Sequence, residues 1–588
     1  MEFHYTTERN AQILISLLKQ YGIKRAVVSP GSTNANIVAS LQQDSSFELY
    51  SAADERSAAY MSCGIAEETG EPVVISCTGA TASRNYVPGL TEAYYRKLPI
   101  VAITSIVHLQ KVGHLMPQTI DRTCIQKDIA KMSIQLPIIT SKELEHQAIY
   151  NVNKALHTLF SNGGGPIHIN IETNYSYNFS AKVLPTARII KNYGQNDILP
   201  SLPKGRIAIF IGSHKQFTRE ETQLIDQFCA ENDSVVFCDH TSGFDGEYKF
   251  LGALVGSQMG YNKEIFSSDL TIHIGEVSGN YPGFASLKKA KQVWRVSEDA
   301  EMRDFANNLS AIFGMPESFF FKNYLRNTNE KKNSYLLKCE TVYNNLLISL
   351  DKKVLPLSNG WIARQLSPVL PEGSSLHLGI LNSLRNWNFF KLPATISSSC
   401  NVGGFGIDGC VSTLIGASLV NPNKLYFGVF GDLALFYDIN VLANRHVGNN
   451  LRILLINNGK GAEFRMYSHL ASRIGDDADT YIAAAGHYGN KSPKLIHHFA
   501  EDCGYKYMHA SSKEEFLAQY KEFVSPVISK SIIFEVFTSS EDESNSLKIL
   551  DHLMFSEEEL SKRDFAKKMI KGIIGEDNIS KVLSFFYK

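Results

Sequence analysis

Short apolar runs of strand length, each followed by a turn and a stretch of helical periodicity, recur along the whole 588-residue sequence. In the first third they occupy residues 25–29, 49–52, 73–77, 99–104 and 167–171. Such runs are apolar at consecutive positions, so both faces of each strand are buried, which calls for a parallel sheet sheathed by helices. The expected fold class is therefore α/β, with doubly wound parallel sheets. The first helix opens at Thr6 or Thr7 as cap and carries Ile13, Leu14, Leu17 and Leu18 on one face.

The same pattern restarts twice. At about 150 residues per domain the length suits three or four units, and the breaks give a first unit at 1–180, a second at 190–345 and a third at 355–545, with a helical tail over 546–588. Residues 173–204, broken by Pro185, Pro200 and Pro203, read as a linker. The second unit has strand runs at 207–211, 234–238, 270–274 and 293–296. Its first turn, Gly212-Ser213-His214, holds one glycine, so a dinucleotide fingerprint is absent and a structural spacer is expected. The third unit has runs at 375–379, 425–430, 451–456 and 531–537, and its likeness in size and pattern to the first hints at duplication.

Composition narrows the function. Fifty-eight basic residues against 59 acidic ones leave no basic field for a nucleic-acid backbone. The nine cysteines form no CxxC pair and no zinc-spaced cluster, which suits reduced core thiols. The longest apolar stretches, such as 98–106, are too short to cross a bilayer, and MEFHYTTERNAQ has no signal-peptide pattern. A cytoplasmic protein acting on small molecules is expected, with neither nucleic acid nor membrane as partner.

The sharpest chemical signal is Gly431-Asp432-Leu433 ending the run 425–430, followed by Asn457-Asn458 ending the next. A carboxylate and a carboxamide at the C-terminal edge of adjacent parallel strands face the crevice where such sheets bind ligands. Both are hard oxygen donors suited to Mg²⁺ or Ca²⁺, and amides opening the next helix can hold anionic oxygens. A second motif, Asp54-Glu55-Arg56-Ser57-Ala58-Ala59, lies far upstream; alone it reads as the surface ion pair usual at a helix start.

GDL…INN resembles the thiamine-diphosphate and Mg²⁺ fingerprint of enzymes such as acetolactate synthase. The chain is most similar to the menaquinone-pathway MenD family, over about residues 5–175 and 375–540. The resemblance implies that Asp432 and Asn458 ligate Mg²⁺ by side chain and Lys460 by its carbonyl. It places Gly431, Leu433, Ala434, Ser383, Gly406 and Ile407 against the cofactor, Ile407 as the wedge that bends it. The DERSAA run resembles the family's glutamate motif, making Glu55 the carboxyl that shares a proton with the aminopyrimidine ring. Thr78, Gly79 and Asn85 resemble the turn and helix beside that ring, and Gln118 matches an active-site glutamine, although a lone glutamine could equally cap its loop. The family builds each site between two subunits, so a homodimer or homotetramer is implied.

The sequence departs from that family where carboxylates are held. PGSR becomes Pro30-Gly31-Ser32-Thr33, NRGA has Val402 at the arginine, and NSLxxR has Trp387, with Arg385 two places earlier. The ADRP arginine is missing from Thr104-Ser105-Ile106-Val107. Beside these altered positions stands Glu463-Phe464, where the family has an apolar residue before phenylalanine. Glu463 either faces the substrate, favouring a hydroxyl or cationic group, or pairs with Arg465 or Lys460. Ser32, Thr33, Val402, Glu463 and Phe464 are thus the expected substrate positions. The resemblance implies a transferase or lyase that decarboxylates a 2-oxo acid and passes the acyl carbanion to an acceptor; the departures from it point to a keto-sugar or other polyol rather than isochorismate. A simple decarboxylase, an authentic menaquinone-pathway synthase and a catalytically silent cofactor-binding subunit stand as alternatives.

Overall fold

The computed structural model describes residues 4–260, 263–326, 331–486, 492 and 494–555. Most of the tail expected over 546–588 lies outside them. The chain divides into two compact units, residues 1–194 with 300–312, and residues 195–299 with 313–588.

Three sheets of six, seven and six strands organise the chain. The first contains β1 (Arg25–Val28), β2 (Glu48–Ser51), β3 (Val73–Cys77), β4 (Ile100–Val107), β5 (Met132–Leu136) and β6 (Ile167–Thr173). Their order is β2-β1-β3-β4-β6-β5, and every pairing is parallel. Its faces are covered by two apolar clusters, one around Leu14, Val101 and Ile169, the other around Ala59, Ile75 and Ala102. Alternate residues of one strand thus feed opposite layers, as a doubly wound sheet requires.

The first helix is Arg9–Gln20, with Glu8 rather than Thr6 or Thr7 at its cap position and no side-chain cap. The Thr6 hydroxyl accepts from the Glu8 amide, while Glu8 Oε1 accepts from Thr173 Oγ1 and the Asn174 amide, both at 3.0 Å. The cap residue is spent on tying the helix to the end of β6.

The middle sheet comprises β7 (Lys191–Gly194), β8 (Ile207–Ile211), β9 (Val235–Cys238), β10 (Lys249–Leu251), β11 (Leu270–Ile274), β12 (Val293–Val296) and β13 (Leu309–Gly314). Its order is β10-β9-β8-β11-β12-β13-β7. The stretch read as a linker, 173–204, therefore contributes a strand.

The third sheet holds β14 (Ser375–Leu378), β15 (Ser397–Cys400), β16 (Tyr426–Gly431), β17 (Leu451–Asn457), β18 (Lys506–Ala510) and β19 (Ile532–Phe537). Its order, β15-β14-β16-β17-β19-β18, is the same permutation as in the first sheet, again all parallel. Among the described residues no helix is long and apolar enough to cross a membrane.

Candidate functional site

In the third sheet β16 and β17 are neighbours, with Gly431 opposite Ile456, so the residues just beyond each strand emerge side by side. Asp432 opens the helix Asp432–Tyr437 and is 2% exposed. One of its carboxylate oxygens accepts from the Leu433 amide at 2.8 Å, the other from the Gly459 amide at 2.7 Å. No lysine or arginine pairs with it among the described residues, and burial lifts its pKa to about 6. Beside it the Asn458 Oδ1 is buried without a hydrogen-bond partner. An unpaired buried carboxylate next to an orphaned carbonyl oxygen is the donor set a hard divalent cation satisfies. A Cβ on Gly431 would meet nothing within 4 Å, so the floor in front of Asp432 is open.

This loop is braced from below. Asn457 Nδ2 donates to Glu535 Oε1 at 2.7 Å, and the Tyr507 hydroxyl donates to Glu535 Oε2 at 2.7 Å. Asn457 Oδ1 receives the Gly459 amide at 3.2 Å, fixing the turn that carries Asn458. Glu535 is fully buried, and burial raises its pKa. Neither Glu535 nor Tyr507 stands out in the sequence, because each occupies an ordinary strand position.

The other residues expected in this unit spread around that loop. Ala434 is buried, Leu433 and Gly406 are partly exposed, and Ile407 packs against the core cluster of Leu414 and Phe430. Ser383 is buried and accepts from Asn359 Nδ2 at 3.2 Å. Lys460 Nζ pairs with Asp479 at 2.5 Å, and Phe464 meets His469 edge-on. Glu463 pairs with neither Arg465 nor Lys460. Arg385 takes both of its carboxylate oxygens, at 2.9 and 3.1 Å, while Arg465 turns to Asp476 and Asp479. Arg385 sits two residues before the position where the family pattern has arginine; at that position Trp387 is 1% exposed and donates its indole N–H to Asn359. Val402 is buried, and a Cβ on Gly279 would stand 3.2 Å from it.

In the first sheet Glu55 is the first residue of the helix Glu55–Thr69, capped by Asp54, whose Oδ1 accepts from the Arg56 amide at 2.9 Å. Asn85 Nδ2 donates to Glu55 Oε2 at 3.3 Å, joining two expected residues. At the ends of β3 and β4 a pocket of about 350 Å³ gathers four more: Ser32, Thr33, Gly79 and Gln118. Thr33 and Thr78 share a hydrogen bond between their hydroxyls. Gly31 is forced to be glycine here, since a Cβ would come within 2.8 Å of Thr78. His108 and Tyr175 complete the wall at positive φ, as does Gln118. Left-handed backbone at non-glycine residues costs energy and clusters at ligand sites. No sequence motif marked His108 or Tyr175, and Ser105 entered only within the segment Thr104–Val107 that lacks the family's arginine; the topology assembles them at one wall.

Residues 9–125 match the family model described as "Thiamine pyrophosphate enzyme, N-terminal TPP binding domain". The match spans about a fifth of the chain and, with the parallel sheets, makes it similar to thiamine-pyrophosphate-dependent enzymes. Three curated proteins similar to it are named 2-succinyl-5-enolpyruvyl-6-hydroxy-3-cyclohexene-1-carboxylate synthase. One from Bacteroides thetaiotaomicron is 29% identical over 563 residues, covering 93% of this chain and 99% of the relative. A second, from Bacteroides fragilis, is 28% identical over 571 residues, with the same coverage. A third, from Flavobacterium psychrophilum, is 27% identical over 563 residues, covering 92% and 98%.

Proposed function

We propose that this enzyme uses thiamine diphosphate with Mg²⁺ to decarboxylate a 2-oxo acid and transfer the acyl unit to an acceptor. The observation that carries the reading is the buried pair of Asp432 and the unpartnered Asn458 Oδ1. Asp432, Asn458 and the Lys460 carbonyl would hold the metal, and the amides opening the helix Asp432–Tyr437 would face the diphosphate. When bound, the cofactor supplies a centre that stabilises the carbanion left by loss of CO₂. Glu55 supplies the carboxyl that shares a proton with the aminopyrimidine, and Asn85 orients it. Gln118 and Thr33 orient substrate in the pocket of the first unit.

The acceptor we assign is hydroxyl-rich, of the keto-sugar kind, rather than isochorismate. Supporting this, the pocket wall carries hydroxyls, carboxamides and one imidazole, with no Lys, Arg, Asp or Glu among its lining residues. Ile106, Trp387 and Val402, at three of the missing arginine positions, are all buried, and Arg385 is already engaged by Glu463. Self-association with each site completed by two copies, and a cytoplasmic location, belong to the same proposal.

Isothermal titration with thiamine diphosphate and Mg²⁺, then CO₂ release from pyruvate, 2-oxoglutarate and longer 2-oxo acids, tests the chemistry. Saturable cofactor binding with release from at least one acid is expected; absence of both would refute it. Robust product from 2-oxoglutarate and isochorismate would refute the divergent acceptor, and CO₂ release unaffected by any acceptor would make the enzyme a simple decarboxylase.

A further inference from the structure

A fully buried acid lies among the apolar residues of β19. Glu535 is 0% exposed, like Ile533 and Val536 beside it. No lysine or arginine forms an ion pair with it among the described residues. A buried carboxylate without a cation is costly unless donors satisfy both of its oxygens. Here the donors come from either side: Asn457 Nδ2 reaches Oε1 and the Tyr507 hydroxyl reaches Oε2, each at 2.7 Å. In the register of β17, β19 and β18, Leu455 lies opposite Glu535 and Glu535 opposite His509. Asn457 and Tyr507 each stand two residues from those partners, so the three side chains run diagonally across neighbouring strands on one face.

A carboxamide has one donor end and one acceptor end, and its neighbours decide which points where. Glu535 takes the nitrogen of Asn457, so the Asn457 oxygen faces the other way, toward the Gly459 amide at 3.2 Å. The same amide donates to Asp432 Oδ2 at 2.7 Å. One backbone N–H therefore ties the residue before Asn458 to the carboxylate across from it. Gly459 takes φ +80°, the left-handed conformation that favours glycine. Asn458 sits between these two anchored residues with its Oδ1 free of any hydrogen-bond partner. Were the Asn457 amide reversed, its nitrogen would face the Gly459 N–H, donor against donor, and its oxygen would face Glu535, acceptor against acceptor. The turn would lose both contacts at once.

We propose that Glu535 is a positioning residue for the divalent cation: by fixing the Asn457 carboxamide it holds the turn that presents Asn458 Oδ1 beside Asp432. The inference rests on the proposed function and adds to it a residue outside the donor set on which metal affinity depends. Groups one layer behind a metal site commonly account for about 10–100-fold in affinity, because they orient the groups that bind. Tyr507 completes the arrangement from the far side. Its hydroxyl occupies Oε2, leaving Oε1 to Asn457, and the His497 ring stacks on it at 4.5 Å.

The test is an electron paramagnetic resonance titration of the full chain with Mn²⁺, as the probe for Mg²⁺, at saturating thiamine diphosphate. It reads bound metal rather than turnover. Asn457→Asp sets a second carboxylate against Glu535 and should weaken Mn²⁺ binding about 10–100-fold. Adding Glu535→Gln to it recreates a donor–acceptor pair with its ends exchanged and should bring affinity back to within a few-fold of wild type. Glu535→Gln alone keeps an acceptor for Asn457 and should cost no more than a few-fold, whereas Glu535→Ala should match the loss in Asn457→Asp. A merely structural role predicts losses that add in the double variant. Should Asn457→Asp fail to fold, the contrast between Glu535→Gln and Glu535→Ala decides alone. Wild-type affinity in Asn457→Asp or Glu535→Ala, additive losses in the double variant, or a glutamine as damaging as alanine would overturn the inference. Wild-type protein that binds no Mn²⁺ would instead overturn the functional reading beneath it.

Discussion

The first and third sheets share one strand order but put different chemistry at equivalent places. At the end of its third strand the first sheet has Thr78 and Gly79, opening onto a pocket of neutral polar groups. The third sheet has Gly431 and Asp432 there, and Asn458 beyond its fourth strand. The carboxylates differ as well: Glu55 is partly exposed and held by one amide side chain, whereas Asp432 is buried and held by two backbone amides. A backbone-clamped buried acid suits a fixed metal, and a carboxyl with freer surroundings suits proton exchange. The topology thus permits both roles, and the few residues at the strand ends decide between them.

The largest expected effects test that division. Asp432→Ala should abolish cofactor binding in a calorimetric titration and with it turnover. Glu55→Gln should lower kcat by about 10²–10⁴-fold while leaving thiamine diphosphate affinity within a few-fold of wild type. If both variants lose binding, or Glu55→Gln keeps near-normal turnover, the contrast fails. Mixing the two variants in one cell provides a sharper probe of self-association. Random dimers whose sites combine two copies should recover about a quarter of wild-type activity, whereas sites built within one chain recover none.

The pH response should also separate the sheets. In the proposed site Mg²⁺ would take the ionised form of Asp432, whose pKa is about 6, so metal affinity should fall about tenfold per unit below that pH. Folding of the cofactor-free protein responds in the opposite sense. Burial raises Asp432 to about 6 and Glu543, which accepts the Asn359 amide, to about 7. A raised acid favours its protonated folded form, so this stability is present below the unfolded values and lost as pH rises through 6–7. Melting temperatures of the cofactor-free protein should therefore drop between about pH 4 and 7, and Glu543→Gln should flatten that drop. A pH-independent melt would contradict the burial of these acids. The smallest effect concerns Arg385 and Glu463, a partly buried bidentate pair: a double-mutant cycle should give a coupling of about 1–2 kcal/mol, and zero coupling would free Glu463 for substrate.

The central strands were legible because they are apolar at most positions: β3, β8, β11 and β12 occupy the ranges their sequences indicate. The strands the sequence hides are mostly peripheral. β15 is Ser-Ser-Ser-Cys, and β18 alternates buried and exposed positions, since an edge strand faces fewer neighbours. The site divides similarly. Ser32, Thr33, Gly79 and Gln118, chosen from scattered motifs, do line one pocket. Glu535 escaped notice because its meaning comes from Asn457 and Tyr507, remote residues that only the sheet brings within reach. The Glu463 partner was missed for a geometric reason: a short helix turns Arg385 toward it, while the residues nearest in sequence find other acids.

The parallel pairing has a consequence for how the chain reaches its native state. No strand of the first or third sheet pairs through a hairpin; Val101 lies opposite Ile167, and Arg452 opposite Ile532, each across an intervening helical crossover. Loop-closure entropy must be met before these contacts form, which makes such topologies slow and leaves sticky central strands exposed meanwhile. Recovery of the recombinant protein should therefore depend on slow synthesis and chaperone supply more than on the stability of the finished fold.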